Sequence, residues 1–219
     1  MPRKKEPRGA RALARSAGRG RYDRQQATGD RHDEQRARLL SAAAEVFATK
    51  GFADASVEDV VVIAGMSRRT FYEHFDDLRD TLMQVHEMAA SMTFRAVEER
   101  VRATSDPVEK LRAGVIAFLE MLSQHGPLAR VVFREVRAAG REFEVRREAT
   151  IARFVGLLFE GVAEAHAAGV ASRAPDELTL YALVSAMEAV GMRYVERREE
   201  SRAMEAAPAL IELVIRAFR

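Results

Sequence analysis

The sequence predicts an all-α fold, on three observations. Apolar residues recur at three- and four-residue spacing through most of the chain beyond Asp33, and no stretch sustains the alternation of a strand. Residues that start and stop helices punctuate that pattern: Ser56, Ser67 and Asp106-Pro107 at starts, and Gly51, Gly65, Gly140 and Gly169 at ends. Two of the segments so marked are short and meet at a glycine, the spacing of a helix-turn-helix.

A first helix is predicted from Asp33 to Lys50, with Leu39, Leu40, Ala43, Val46 and Phe47 inward and Gly51 as its stop. The segment SVEDVVVIAGMSRRTFYEHF, Ser56 to Phe75, then supplies two helices. Ser56 caps the first of them, and Asp59 answers its backbone as a capping box. Gly65 makes the turn, and Ser67 caps the second helix. Phe71 and Phe75, four apart, form an inner face, while Arg68, Arg69, Thr70, Tyr72 and His74 crowd the outer face with donors for phosphate oxygens and base edges. A fourth helix is expected from near Asp77 to about Arg102, with Leu78, Leu82, Val85, Ala89 and Met92 as its stripe.

Asp106-Pro107 opens the next helix, whose apolar row Val108, Leu111, Val115, Phe118, Leu119 and Leu122 ends near Gly126-Pro127. A shorter helix follows from Leu128 to Ala139. A long one then runs from about Glu142 to Ala168, with Ile151, Phe154, Val155, Leu158 and Val162 inward. Pro175 starts a helix to about Arg198, and Pro208 marks the start or early part of the last, which ends at Arg219.

The turn Ala64-Gly65-Met66-Ser67, the step Thr70-Phe71-Tyr72 and the ending His74-Phe75 follow a helix that carries Phe47 and stops at Lys50-Gly51-Phe52. Together they resemble the tetracycline-repressor (TetR) family of bacterial transcription regulators, over roughly Arg36 to Leu82. The resemblance implies nine helices, three in a DNA-binding domain and six in a C-terminal domain that binds a small molecule. It also implies that the last two long helices pair with their twofold mates as a four-helix bundle. The expected division is a basic, disordered tail over 1–32, a helix-turn-helix domain over 33–78 and a ligand-binding and dimerisation domain over 79–219. Departures from the family pattern fall near the DNA face. Leu78 stands where relatives usually carry Lys, with Arg79 beside it. Val61, Val62 and Ile63 fill the second half of the second helix, and Glu58 and Asp59 lie near its start.

Composition narrows the function. The chain has no cysteine, which excludes disulfides, thiolate catalysis and cysteine-type zinc sites, and its five histidines show no metal-ligand spacing. No Gly-rich phosphate loop or nucleophile motif is present, so no enzyme, metal or cofactor is expected. No apolar run is long enough to span a bilayer, and the start lacks the apolar stretch of a secretory signal, so a cytoplasmic protein, on the nucleoid when bound to DNA, is expected. The net charge of +2 hides an asymmetry: up to Arg31 there are ten Lys or Arg against Glu6, Asp23 and Asp30. Such a tail buries too little to order itself, and is either a solvated leader with no role or a basic arm that adds phosphate contacts or enters the minor groove.

These readings point to a homodimeric, ligand-responsive regulator on a palindromic double-stranded DNA operator, a repressor released by a small, largely hydrophobic effector. The alternative is a ligand-independent DNA-compacting protein that works through the basic tail. DNA contacts are expected from Ser56, Ser67, Arg68, Arg69, Thr70, Tyr72, His74 and Arg79. The expected pocket is lined by Met88 and Met92 on the connecting helix and by Phe94, Phe118, Met121, Phe133, Phe154, Leu158 and Tyr181. Its polar candidates are His125, Arg134, Arg137, Glu188 and Arg193, of which Glu188 lies on a largely apolar face. The dimer seam is expected along the small residues Ala182, Ser185, Ala186 and Ala189, joined by Leu210, Leu213, Val214 and Phe218.

Overall fold

The computed structural model describes residues 31–135 and 140–219, and the regular structure among them is entirely helical. In chain order the helices are α1 (31–50), α2 (Val57–Ala64), α3 (Arg68–Tyr72), α4 (Leu78–Arg102), α5 (Pro107–Gln124), α6 (Gly126–Phe133), α7 (Arg141–Ala167), α8 (Glu177–Glu196) and α9 (Ala207–Ala217). A 3₁₀ segment, Glu200–Ala206, joins the last two. No helix among the described residues is long and apolar enough to cross a membrane. The basic tail up to Asp30 and the polar candidate Arg137 lie outside the described residues.

Local chemistry sets most of the boundaries. Asp77, Asp106 and Asp176 each turn a side-chain oxygen onto the backbone N–H three residues on, satisfying one of the orphan donors at the starts of α4, α5 and α8. Pro107 then costs nothing in the first turn of α5, where its missing N–H has no partner to lose. The same reasoning starts α6 earlier than Leu128, because Pro127 falls in its first turn. The helix also stops at Phe133, short of the expected Ala139.

Two apolar cores result. The first packs Leu39, Leu40, Ala43, Val46 and Phe47 of α1 against Val60, Val61 and Ala64 of α2, and against Phe71 and Phe75. It does not end at residue 78. Leu82, Met83 and Val85 of α4 belong to it, and so do Val131 of α6 and Phe143 of α7. The second core gathers around α5, the central helix, which touches α4, α6, α7, α9 and the 3₁₀ segment.

α9 lays Leu210, Val214 and Phe218 into this second core, each no more than 4 % exposed. Three of its four expected seam positions are therefore interior to the protomer, and Leu213 alone of them is exposed. The reason lies in the 3₁₀ segment, which the sequence pattern did not announce. It brings α9 back across α5, and it buries Glu200 against Arg130, with Nε donating to Oε1 at 2.8 Å.

Candidate nucleic-acid interface and ligand cavity

The helix-turn-helix is held by its own caps. Ser56 Oγ accepts from the Asp59 N–H, and the Asp59 carboxylate accepts from the Ser56 N–H at 2.9 Å. Lys50 Nζ donates to the same carboxylate at 2.7 Å. Hydrogen bonds from Lys50 first, and from Ser56 next, hold Asp59 down at about 2. Gly65 takes the left-handed conformation, φ 63°, and its N–H and that of Met66 close the end of α2 on Val61 and Val62. Ser67 Oγ accepts from the Thr70 N–H and meets Thr70 Oγ1 at 2.9 Å.

These contacts sort the expected DNA-facing residues. Ser56, Ser67 and Thr70 spend their hydroxyls on the caps that aim α3. Arg68 and Arg69 stand on the outer face, Arg69 Nε donating to Glu73 at 3.0 Å, and Tyr72 is half exposed. His74 departs from expectation. It lies in the turn after α3, and its ring turns inward, 4.1 Å from His32 and 6.2 Å from Phe75. Both its ring nitrogens are buried with no hydrogen-bond partner among the described residues, and burial first, then the His32 charge, push its pKa below the ordinary value. Arg79 pairs with Glu142 at 3.7 Å, which ties the start of α4 to the start of α7.

Above this domain a cavity of about 170 Å³ runs between α4, α5, α6, α7 and α8. On α4 its lining extends from His86 through Ala89, Ala90, Thr93 and Val97 to Val101. At 1.5 Å per residue that is a length of about 22 Å. Phe118, Met121, Phe133, Phe154, Leu158, Glu188 and His125 line it as expected positions. Met88, Met92, Phe94, Tyr181, Arg134 and Arg193 do not. The α4 methionines sit one or two positions from the lining residues, and one position on a helix turns a side chain by about 100°. Met88 packs on the first core instead. Phe94 stands edge-on to Phe154 beneath the Arg153 guanidinium, and the Tyr181 hydroxyl reaches Glu148 at 3.4 Å.

Polar groups gather at the end of the cavity nearest the DNA domain. Arg147 grips Glu188 there through two parallel bonds, Nε to Oε1 at 2.7 Å and Nη2 to Oε2 at 2.5 Å, and this grip raises the arginine's pKa. His86, 2 % exposed, stands edge-on to Phe143 at 5.2 Å; burial lowers its pKa, and its Nδ1 has no hydrogen-bond partner among the described residues. Sequence reasoning missed both residues, although each had a signal. Arg147 falls in register with Phe143, Ile151, Phe154 and Leu158, and His86 with Leu82, Ala89 and Thr93. The far end is walled by Val97, Val101, Leu111, Gly114 and Gly161, with the stem of Lys110. Lys110 turns its ammonium outward to Glu164.

Two further contacts connect cavity and DNA domain. α6 places Val132 and Phe133 on the cavity and Val131 in the first core. Just beyond it, Glu135 Oε2 accepts from the Phe52 N–H at 2.8 Å, at the turn between α1 and α2.

On the outer surface, α8 carries Ala182 and Ala189 exposed and Ser185 and Ala186 partly so, in line with Leu178, 78 % exposed. α7 adds a stripe that the sequence reading passed over, with Val145, Ala152, Gly156 and Phe159 all exposed.

Comparison with known proteins places these features. Residues 39–80 match the profile of bacterial regulatory proteins of the tetR family, and residues 104–196 match a tetracyclin repressor-like C-terminal domain. The HTH-type transcriptional activator FasR of Mycolicibacterium smegmatis is 31% identical over 101 residues. That match covers 46% of either chain, so this chain spans about half the length of the curated relatives it matches. The fatty acid degradation regulator FadR of Bacillus halodurans shares the fold with a TM-score of 0.76 at 20% identity, over 83% of this chain and 94% of that one. FadR of Bacillus subtilis in complex with stearoyl-CoA gives 0.74 at 18% identity, over 84% of this chain and 99% of that one.

Proposed function

The chain belongs to the TetR family of DNA-binding transcriptional regulators, and from that premise we propose that it is a homodimer whose hold on a palindromic operator is released by an acyl-chain ligand. The observation that carries this reading is the cavity: long, apolar along most of its wall, and polar at one end around Arg147, Glu188 and His86. An extended hydrocarbon with a single polar head matches that division, and the likeness to a regulator bound to stearoyl-CoA supports it.

The cavity also supplies a route from ligand to DNA. Its volume, about 170 Å³, is below the roughly 300 Å³ or more of pockets that bury a whole drug-sized ligand. In this reading a long chain enters by parting α4 from α6, two helices that line the cavity and also contribute to the first core. A ligand that binds the parted form better shifts the population toward it, and the spacing of the two α3 helices changes with it. In this reading Arg68 and Arg69 face base edges and Tyr72 the phosphate backbone, with Ser56, Ser67 and Thr70 as supports. A second copy covers the stripes of α7 and α8 that stay exposed among the described residues.

Footprinting of the purified protein on the DNA beside its own gene, with and without palmitoyl-CoA, tests the proposal. Two protected half-sites that vanish on adding the thioester are expected. Protection that persists at saturating concentrations of every acyl ligand tried sinks the ligand-release reading, and uniform protection without half-sites sinks the operator.

A further inference from the structure

Two glycines in the cavity wall are not required by the backbone. Gly114 lies inside α5 and Gly161 inside α7, where glycine is the least favourable residue apart from proline, and neither has the positive φ that would demand it. Close packing does not demand it either. A Cβ on Gly114 would meet Val101 Cγ2 at 3.4 Å and Val97 Cγ1 at 3.9 Å, and one on Gly161 would meet Leu111 Cδ2 at 3.6 Å, all ordinary contacts. Gly191 is the contrasting case. A Cβ there would stand 3.1 Å from Phe133 Cζ and 3.4 Å from Phe118 Cζ, so the approach of two rings accounts for it.

What the absent side chains of Gly114 and Gly161 leave is space, all at one place. Both glycines line the cavity, and so do Val97, Val101 and Leu111, the side chains their Cβ atoms would touch. This is the end away from Arg147, Glu188 and His86. A ligand whose polar head meets those groups points its last carbons here. We propose that Gly114 and Gly161 set the length of the apolar chain the protein accepts, by leaving room for its terminal carbons. The inference rests on the acyl-chain reading above and adds to it which residues measure the chain.

Calorimetric titration of the full-length protein with lauroyl-, myristoyl-, palmitoyl- and stearoyl-CoA, and with the matching free fatty acids, tests it. The two series separate a thioester from a free acid as the source of the head. Gly114→Val and Gly161→Val should weaken the longest chain that wild type binds by about tenfold or more for each methylene that no longer fits, and leave the shortest unchanged. Gly114→Ala and Gly161→Ala should shift the preference less while raising the melting temperature, since alanine suits a helix better and meets no clash. The alanine pair keeps the test valid if a valine variant folds poorly. Equal losses for every chain length would mean that the glycines widen an entrance, and an unmoved preference would mean that they do nothing; either overturns the inference alone. A wild type that binds none of these ligands overturns the acyl reading as well.

Discussion

Replacing Glu135 with Ala removes one hydrogen bond between the segment after α6 and the turn that precedes α2. The Glu135 carboxylate, whose side chain is 12% exposed, accepts from the Phe52 N–H at 2.8 Å, and Phe52 itself packs edge-on to Phe47 at 5.7 Å. A hydrogen bond to a charged group contributes about 1.5–3 kcal/mol, and its loss leaves the Phe52 donor without this acceptor. The neighbouring Arg134 adds little, because its guanidinium is half exposed and 3.5 Å away, and such pairs are worth about 0–1 kcal/mol. A loss of about 2 kcal/mol follows, and for a chain of this size that lowers the melting temperature by about 4–8 °C. Glu135→Gln, which keeps an acceptor oxygen without the charge, should lose about half as much. The same variants should answer the ligand less, because Glu135 follows directly on the α6 residues that line the cavity. Calorimetric melting gives the first quantity, and fluorescence anisotropy on operator DNA with and without palmitoyl-CoA gives the second. If Glu135→Ala melts with wild type and releases DNA at the same ligand concentration, this bond carries neither stability nor signal.

Three further outcomes are expected. Arg69→Ala should relax base preference with a loss of about 1–3 kcal/mol at a cognate pair, whereas Tyr72→Phe should weaken operator and random DNA alike; anisotropy on both sequences separates them. Ala189→Arg on α8 and Phe159→Arg on α7 should each sediment as monomers and bind the operator far more weakly, and two intact dimers would move the seam elsewhere. Burial lowers the His86 pKa below 6.5, so the folded state takes up its proton later than the unfolded chain does: the stability this gives is complete above about pH 6.5 and falls as pH drops toward the folded value. His86→Leu should flatten the acid side of the stability curve, though not abolish its slope, because His74 is shifted in the same direction.

Features that depend on spacing along the chain are legible in the sequence. The capping box of Ser56 and Asp59, the Ser67 cap, the Gly65 turn and the start at Asp106-Pro107 involve partners within a few residues, and each formed as expected. Features that depend on rotation about a helix axis were harder to read. The connecting helix has apolar residues on more than one face, so its pattern did not say whether Met92 or Thr93 turns to the cavity. Contacts between distant elements left no local trace. Nothing near Glu135 names Phe52, and nothing near Glu200 names Arg130. Arg147 lay between these cases, since its register with the apolar stripe of α7 was visible while its partner on α8 was not.

The first core reaches beyond the helix-turn-helix, and this limits how the protein can be recombined. Leu82, Met83 and Val85 of α4 sit with α1, α2 and α3, and Val131 and Phe143 belong to the same cluster. A chimera cut after residue 78 would strip buried apolar surface from both fragments, at about 25 cal/mol for each Å² re-exposed. A graft of this DNA-reading head onto another sensor must carry α4 at least through Val85 and offer residues of similar volume where Val131 and Phe143 now stand. In the proposed reading, specificity for DNA and response to ligand are inherited together, because one continuous stretch of packing serves both.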